Sequence, residues 1–497
     1  MLPPAAVFPA PPATGLQKLA ASAARRPGRT AGLVIFLAFA THLLTSGGLE
    51  FRYDDYFYWM LAGKFWAGGS FDFQAFDTPF RGYLFPLLLA PLAWLAAHGP
   101  VVPLVLTRLV GAAGAALLFG VVGPGLWQAA QRGPAAPAVG WGRRLLFGAL
   151  GFAFWRGHFH YPLTDFPALL ALGAGLWGLL RGRSAAVALL AGLGVAAAVN
   201  FRPIYAAALP VAVLLGSWPR LTNAGGGGRG TRRGLAFGAG LALVFGPQLY
   251  LNRAHFGANT PLVLARYPAG PNTYLLHLQM GLCHQKYETS VAPDYPRPEM
   301  YFRDPAGQQL WQRARPAADS LASAAEYLAV VRQAPAVAAG VWGRHLFNGL
   351  DVQYPTPYVG RVYVPTWGLA WANYTALGAG LLVLLSRAST RRRWPTQPAA
   401  LVLAALALPC LFVLPVQVEC RFLLPLHLLL YAALAFGAQP RRAWQNASAG
   451  YRLLGVGLYL GWLAGAFACS AQAQAQLAEG PRRLFAAPAQ KPAPEPW

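Results

Sequence analysis

A dozen apolar runs occupy most of this 497-residue chain and restrict the folds that are open to it. The runs lie at 31–48, 83–98, 101–130, 145–157, 166–180, 184–200, 203–218, 234–251, 366–386, 399–416, 422–438 and 452–470. Many of them reach or approach the roughly 20 residues that an α-helix needs to cross a bilayer. Strand-like alternation is absent, and in lipid the backbone polar groups have to be satisfied within each segment. The pattern therefore predicts an all-α polytopic membrane protein.

The charges are few and strongly biased. Charged residues make up 11% of the chain, against roughly 25% in a soluble domain. The formal net charge is nevertheless +24. Its arginines gather between the apolar runs, at 25–29, 132–144, 181–183, 220–233, 387–393 and 441–442. Short basic loops mark the cytoplasmic side of a membrane, so this charge indicates topology and attraction to anionic lipids, and we expect no nucleic-acid partner.

The basic loops divide the chain into five predicted parts in the cell (cytoplasmic or inner) membrane. These are a cytoplasmic Pro/Ala/Arg tail at 1–30, an N-terminal transmembrane module at 31–251 that includes a first extracytoplasmic loop at 49–82, a large extracytoplasmic loop at 252–365, C-terminal transmembrane helices at 366–470, and a flexible tail at 471–497. Within the large loop, Gln308–Leu350 predicts one or two amphipathic helices broken near Pro335.

One stretch conflicts with a simple alternation of sides. Region 83–130 has to cross an odd number of times, yet its hydropathy shows two runs. Either 83–98 is partly re-entrant, or 101–130 contains a tight hairpin near Gly111–Gly114. The predicted number of transmembrane helices is therefore 11 to 13.

Two adjacent carboxylates, Asp54 and Asp55, follow the first apolar run. Only 16 residues of the chain are acidic, so a pair at a membrane surface is unusual. One reading is that Asp54 caps a short interfacial helix rich in Tyr and Trp. The other is that the pair forms a catalytic site, in which a like-charged neighbour raises one pKa toward a value useful for a general base. Asp55 is then slightly favoured as the base, because Asp54 is better placed to cap the helix.

Further candidates lie at the ends of other apolar runs. Asp165 is a candidate catalytic carboxylate or, alternatively, the N-cap of the helix that follows it. The candidates for binding a substrate or a lipid phosphate are Arg202, Arg421, Glu419, Arg253, His255 and Arg266. Arg202 and Arg421 could instead snorkel to lipid head groups, and Glu419 could form a structural bridge with Arg421. No zinc-ligand spacing or nucleotide-binding glycine motif is present.

These residues lie in motifs that resemble the GT-C class of polytopic glycosyltransferases, especially bacterial relatives of the protein O-mannosyltransferases and of the aminoarabinose transferases that modify lipid A. The matching motifs are Asp54-Asp55-Tyr56 with Pro79, Tyr83 and Pro86 downstream, Thr164-Asp165, Asn200-Phe201-Arg202-Pro203, and Glu419-Cys420-Arg421-Phe422 with Pro425. Their order holds over about 31–440. Phe422 departs from the pattern, because Tyr is usual there.

The resemblance implies a function. Enzymes of this class transfer a sugar, with inversion, from a polyprenyl-phosphate carrier to an acceptor outside the membrane. The acceptor is a lipid, a glycan or a protein. A carboxylate would take the acceptor proton, and arginines would hold the lipid phosphate. A divalent cation held by the carboxylates could do the same work, and the sequence leaves this possibility open.

Two other classes of function compete with the enzyme. A transporter or lipid flippase would place charged or broken-helix sites near the bilayer midplane and often contains internal repeats. Here the acids lie at the ends of runs, and no repeat is evident. A non-catalytic membrane assembly factor is the third reading, and no specific sequence feature favours it.

Overall fold

The computed structural model describes residues 26–48, 50–132, 138–182, 184–217, 228–267, 272–314, 320–390, 397–439, 445 and 448–485. This part of the chain is mostly helical, as the apolar pattern predicts. Six of its helices are long and apolar enough to cross a membrane, at Pro27–Thr45, Pro103–Gln131, Gly230–Phe256, Trp367–Ser386, Cys420–Gly437 and Ala449–Gln474. Four shorter apolar helices accompany them, at Leu84–His98, Ala185–Phe201, Pro203–Gly216 and Gln397–Val413.

The helices are numbered here in chain order. They are α1 Pro27–Thr45, α2 Tyr53–Lys64, α3 Leu84–His98, α4 Pro103–Leu117, α5 Gly123–Arg132, α6 Trp141–Trp155, α7 Asp165–Arg181, α8 Ala185–Phe201, α9 Leu209–Ser217, α10 Gly228–Phe256, α11 Thr273–Cys283, α12 Pro305–Ala314, α13 Ala324–Gln333, α14 Pro335–Leu350, α15 Trp367–Thr390, α16 Gln397–Val413, α17 Leu424–Ala432 and α18 Ala449–Gln474. The π-helical turn Leu118–Val122 joins α4 to α5, and a second one, Ala433–Gly437, extends α17.

Small residues allow the central helices to pack closely. An added Cβ on Gly192 of α8 would lie 2.2 Å from the Phe237 carbonyl oxygen of α10, and one on Gly240 would lie 2.1 Å from the Leu189 carbonyl oxygen. Such contacts bring two backbones together and are the usual basis of helix association in lipid, where the hydrophobic effect between helices is weak. The same packing fixes the end of α8, which carries a candidate arginine.

The structure agrees with the re-entrant alternative for 83–98. The upper end of the bundle is defined here as the end where α1 finishes at Thr45 and α8 finishes at Phe201. The backbone N–H of Leu84, which opens α3, donates to Asn200 Oδ1 at this end, at 2.9 Å. The guanidinium of Arg108, near the start of α4, donates to the carbonyl oxygens of Ser46 and Gly48 just beyond α1. Both α3 and α4 therefore begin at the upper end of the bundle, as a re-entrant 83–98 requires.

The hairpin alternative for 101–130 is wrong. The chain from Pro103 to Gln131 forms one continuous helical span, and Gly111–Gly114 lies inside it without a turn. The only irregularity along this stretch is the π-helical turn, which inserts one residue into the helix without reversing its direction.

The predicted loop 252–365 is compact. It starts with the last turn of α10 and contains α11 to α14, with the predicted break at Pro335 between α13 and α14. It also contains a three-stranded sheet that the sequence did not predict, made of β1 His284–Ser290, β2 Glu299–Arg303 and β3 Tyr358–Val359 in the order β2-β1-β3. The β1–β2 pair is antiparallel and the β1–β3 pair is parallel, with Thr289 opposite Tyr358.

The predicted boundaries of both tails need correction. The helix α1 begins at Pro27, so the last residues of the predicted tail 1–30 are helical, and residues 1–25 lie outside the described part. The segment after α18, predicted as a flexible tail, packs on the large loop as far as residue 485. Buried Arg482 holds it by donating to Gln474 Oε1 at 2.9 Å and to Thr366 Oγ1 at 2.7 Å. Residues 486–497 lie outside the described part.

Candidate functional site

Five chain segments meet at the upper end of the bundle around one cavity. They are the start of α2, the turn before α3, the start of α7, the end of α8 and the 3₁₀ turn Cys420–Leu423 that precedes α17. The large loop closes over them. The cavity has a volume of about 530 Å³, and Asp54, Arg81, Asp165, Arg202 and Arg421 all line it.

The charged side chains on the cavity wall form a continuous chain of ion pairs, called here the charged network. Arg81 Nη2 lies 2.5 Å from Asp54 Oδ1, and Arg421 Nη2 lies 3.7 Å from Asp54 Oδ2. Arg421 Nη1 lies 3.6 Å from Asp165 Oδ2, and Arg202 pairs with Asp165. Arg421 also pairs with Glu419 behind the wall. The network thus holds three arginines and three carboxylates.

Asp165 is part of this network and does not cap its helix. It is the first residue of α7, and the residue before it, Thr164, makes no side-chain capping hydrogen bond. Asp165 is 3% exposed and forms an ion pair with Arg202, which follows the end of α8. Because the two helix ends face each other, the pair joins α7 to α8 on the cavity wall. The capping alternative for Asp165 is therefore not what the structure shows.

The two adjacent carboxylates have different surroundings. Asp54 faces the cavity and is over one-third exposed. Asp55 is fully buried, and its Oδ2 accepts from the Arg52 backbone N–H at 3.0 Å, which caps α2. Its Oδ1 accepts from the Tyr358 hydroxyl at 2.5 Å. The expectation that Asp54 caps this helix is wrong, because Asp55 points back to the helix start while Asp54 points away from it.

The surroundings also separate the pKa values of the two acids. Burial opposes ionisation of Asp54, but the nearby positive charges of Arg81, Arg421 and Arg202 outweigh it and hold the pKa of Asp54 below its usual value. Burial raises the pKa of Asp55 to about 6, although hydrogen bonds from Tyr358 and the Arg52 backbone oppose the rise. The charge of Asp54 adds a smaller upward contribution to the pKa of Asp55.

Arg202 and Arg421, the two candidate arginines at the ends of apolar runs, do not extend away from the bundle toward lipid head groups. Both turn inward, and both lie against the ring of Phe422, with the guanidinium carbon 4.9 Å from the ring centroid for Arg202 and 5.8 Å for Arg421. Phe422 stands where the resembling family usually has Tyr. Its ring contributes a cation–π contact to each of the two arginines.

Three predicted binding residues lie outside the cavity wall. Arg253 is exposed at the end of α10 and donates to Asn259 Oδ1 at 2.9 Å. His255 is exposed beside Phe256, and Arg266 is exposed although its neighbours Ala265 and Tyr267 line the cavity. Their positions in an outside loop led to their selection, and the structure does not bring them to the network.

Arg81 is a site residue that sequence reasoning did not select. It precedes Gly82, where an added Cβ would lie 2.1 Å from the Asn200 carbonyl oxygen. This close approach needs glycine and presses the chain at Arg81 against the end of α8, two residues before Arg202. The side chain of Asn200 is itself held by Gln248 of α10, to whose Oε1 it donates at 2.9 Å. The adjacent residues Arg81 and Gly82 were the sequence feature from which this site residue could have been selected.

The remaining cavity wall has two distinct surfaces. Apolar side chains lie on the bundle side, among them Phe201, Ile204, Val413 and Val416. Tyrosines lie on the side of the large loop, namely Tyr267, Tyr274, Tyr287 and Tyr301. A molecule that has both an apolar chain and a polar head would meet matching surfaces in this cavity.

The carboxylates of the network are each paired with an arginine, which limits how they could hold a metal ion. Among the described residues, no group of three or more His, Cys, Asp or Glu side chains is arranged to hold one. Comparisons with known proteins add no assignment, since no family model, no curated protein and no solved structure matches this chain significantly.

Proposed function

We propose that this protein is a membrane glycosyltransferase that moves a sugar from a polyprenyl-phosphate donor to an acceptor, with inversion at the anomeric carbon. The observation that carries the proposal is the position of Asp54, which faces the cavity between Arg81 and Arg421. In this arrangement the carboxylate can accept a proton from the attacking nucleophile while the adjacent arginines bind the anionic leaving group. Asp54 and Arg421 also belong to the motifs that resemble the GT-C class.

The arginines would bind the donor phosphate. Arg202 and Arg421 lie at helix ends next to the apolar wall, where a lipid phosphate would enter with its chain in the membrane. Guanidinium groups offer paired N–H donors that match phosphate oxygens, and they keep their charge at all physiological pH values. A monoanionic phosphate can share these arginines with the carboxylates that now hold them.

Asp54 would act as the base. The acceptor oxygen or nitrogen forms a bond to the anomeric carbon, the bond from that carbon to the phosphate oxygen breaks, and the phosphate leaves with the electron pair. The acceptor proton passes to Asp54, which is ionised at neutral pH because its pKa is low. Asp55 is an unsuitable base in this geometry, since both of its oxygens are occupied inside the protein.

The place of the network favours an enzyme over a transporter. A transport site lies near the bilayer midplane so that it can open to either side. The charged network instead lies at helix ends under the large loop, on one face of the bundle. With 83–98 re-entrant, eleven of the twelve apolar runs are left to cross, which is the lower bound of the predicted 11 to 13. The basic loops lie at the opposite end, and this charge distribution supports an extracytoplasmic upper end.

A binding and transfer experiment tests the proposal. The purified protein in lipid nanodiscs should bind polyprenyl monophosphate, measured by native mass spectrometry. It should also release that lipid phosphate from at least one member of a panel of polyprenyl-phosphate hexoses and pentoses. No binding of the lipid phosphate, or binding that Arg202→Ala and Arg421→Ala leave unchanged, would contradict the proposed site.

A labelling experiment tests the side of the membrane. Gly68 and Gly360 lie at the upper end and Gly142 at the start of α6, and all three have open space for a larger side chain. A membrane-impermeant thiol reagent added to intact cells should label Cys at positions 68 and 360 but not at 142. Labelling only at 142 would reverse the orientation and the predicted side of the reaction.

A further inference from the structure

Two tyrosines link α2 to the large loop, one reaching from the large loop to α2 and the other from α2 to the large loop. The Tyr358 hydroxyl, from β3, lies 2.5 Å from Asp55 Oδ1 and 2.9 Å from the Arg52 carbonyl oxygen at the start of α2. In return, the Tyr53 hydroxyl donates to the Ser290 carbonyl oxygen at the end of β1, at 3.1 Å. The two rings also contact each other, with centroids 5.7 Å apart. Both tyrosines line the cavity.

The backbone is strained next to the candidate base. Tyr53 has a φ of +50°, which places a bulky non-glycine residue in the left-handed region. Such a conformation is unfavourable for a residue with a bulky side chain and persists only where surrounding contacts enforce it. Tyr53 directly precedes Asp54. The backbone conformation of Tyr53 therefore helps to set the direction in which the Asp54 side chain leaves the backbone.

The hydrogen bonds around Asp55 fit its protonated form best. A hydroxyl has one proton, yet Tyr358 faces two acceptors when Asp55 is ionised, the carboxylate and the Arg52 carbonyl oxygen. When Asp55 is protonated, its carboxyl can donate to the Tyr358 oxygen while Tyr358 donates to the carbonyl. Asn at position 55 would reproduce this arrangement, because its amide nitrogen donates and its oxygen still accepts from the Arg52 N–H.

The same strand system reaches the arginine side of the cavity. β3 pairs with β1 at Thr289, and the Thr289 hydroxyl lies 3.5 Å from Glu419 Oε1. The backbone N–H of Tyr287 on β1 donates to the Val418 carbonyl oxygen at 3.0 Å. A change at Tyr358 can therefore alter the position of Asp54 relative to Arg421, whose atoms lie 3.7 Å apart.

We infer that Asp55 and Tyr358 form a latch, which closes the large loop on α2 and holds Asp54 at its place in the cavity. Both are positioning residues, and neither takes part in the chemistry. This assigns separate roles to the two adjacent carboxylates: Asp54 acts on the substrate, and Asp55 acts on Asp54 through the latch. The inference rests on the proposed function of Asp54.

Three variants separate a latch from a base at position 55. Tyr358→Phe and Asp55→Ala remove the hydrogen bond, whereas Asp55→Asn keeps it without a carboxylate. We expect the first two to lower the turnover number about 10- to 100-fold, the scale of a misplaced reacting group, while the KM for the lipid donor changes less than about 3-fold. Asp55→Asn should retain turnover within about 3-fold of the wild type. Tyr354→Phe is the matched control, because it removes a hydroxyl bond to the Val362 carbonyl in the same segment.

A distance measurement tests the latch without any sugar transfer. Spin labels on Gly68→Cys and Gly360→Cys, with Cys283 and Cys469 replaced, report the gap between the first loop and the large loop. The distance distribution should broaden in Tyr358→Phe and Asp55→Ala and stay narrow in Asp55→Asn and Tyr354→Phe. Unchanged distributions in the first two variants would overturn the latch, and so would a loss of turnover in Asp55→Asn.

The latch and the proposed function can fail separately. If Asp54→Asn transfers sugar at the wild-type rate, the proposed role of Asp54 is wrong, whatever the labels report. If Asp54→Asn is inactive while Tyr358→Phe and Asp55→Ala match the wild type in turnover and distance, the base stands and the latch is wrong.

Discussion

The arginines at the two ends of the bundle have different partners. At the lower end, opposite the cavity, Arg144 donates to the carbonyl oxygens of Gly120 at 2.6 Å and Val139 at 2.9 Å, and Arg233 donates to the Leu179 carbonyl near the end of α7. At the upper end, the arginines of the charged network pair with carboxylates. The sequence has the same contrast, since its acidic residues all fall outside the basic segments of the lower end.

The difference shows which arginines a ligand could recruit. The lower arginines donate to backbone carbonyl oxygens, so removing one of them takes a donor away from a carbonyl group inside the bundle. A carboxylate paired with an arginine can share it with a second anion that enters the cavity. The lower arginines therefore contribute to the fold, and the upper ones are the arginines that the phosphate of the proposed donor would contact.

The largest expected effect is on turnover at Asp54. Asp54→Asn keeps an oxygen that accepts from Arg81 but cannot take a proton, so the turnover number should fall about 10²- to 10⁴-fold. Binding of polyprenyl monophosphate should persist, because the variant removes a negative charge from the cavity. Release of the lipid phosphate from a sugar donor measures the first quantity and native mass spectrometry the second. Lost lipid binding together with lost turnover would point to a structural role.

The next largest expected effect is on lipid-phosphate affinity, compared between Arg421 at the upper end and Arg144 at the lower end of the bundle. Arg421→Ala should weaken lipid-phosphate binding by about 1.5–3 kcal/mol, the scale of hydrogen bonds to a charged group, which is about 10- to 150-fold in affinity. Arg421→Lys should recover part of it, because Lys keeps the charge but not the paired donors. Arg144→Ala, the matched lower-end control, should leave affinity unchanged and lower the apparent unfolding temperature. Equal loss of affinity in both variants would remove the distinction between the ends.

The sequence predicted the helical class and most of the charged network. Asp54, Asp165, Arg202, Arg421 and Glu419 stand at the ends of apolar runs, and the topology rules alone bring such ends together on one face. The sequence did not predict that Asp55 is buried while Asp54 faces the cavity. Adjacent residues on a helix point about 100° apart, and the sequence does not say which of the two faces inward.

Other features depend on contacts distant in sequence. The sheet β2-β1-β3 joins strands separated by loops of unequal length, and the short strand β3 carries no periodic pattern. Arg81 is brought to the network by the contact between Gly82 and Asn200, which are over a hundred residues apart in the chain. The segment after α18 is rich in Ala and Pro, which is typical of a tail, yet buried Arg482 fixes it by donating to the Val364 carbonyl oxygen and to Thr366.

The smallest expected effect is the pH dependence of stability that Asp55 contributes. Its pKa in the folded protein is about 6, above the ordinary value of 3.8, so the folded state binds this proton more tightly than the unfolded state. The stabilisation is fully present below about pH 4 and is lost as the pH rises through 6, with an upper limit of about 3 kcal/mol. The groups that face Asp55 are Tyr358, Tyr161, the Arg52 backbone and Asp54, and of these only Asp54 carries a charge at neutral pH.

Asp55→Asn imitates the protonated carboxyl and should abolish this dependence. In detergent, its apparent unfolding temperature should exceed that of the wild type at pH 7.5, and the two should converge at pH 4.5. Asp55→Ala should be less stable than Asp55→Asn at both values, because it loses the bonds to Tyr358 and to the Arg52 N–H. A wild type that gains stability relative to Asp55→Asn as the pH rises would show that the buried carboxylate is preferred in its ionised form. The two acids would then differ less than their surroundings indicate.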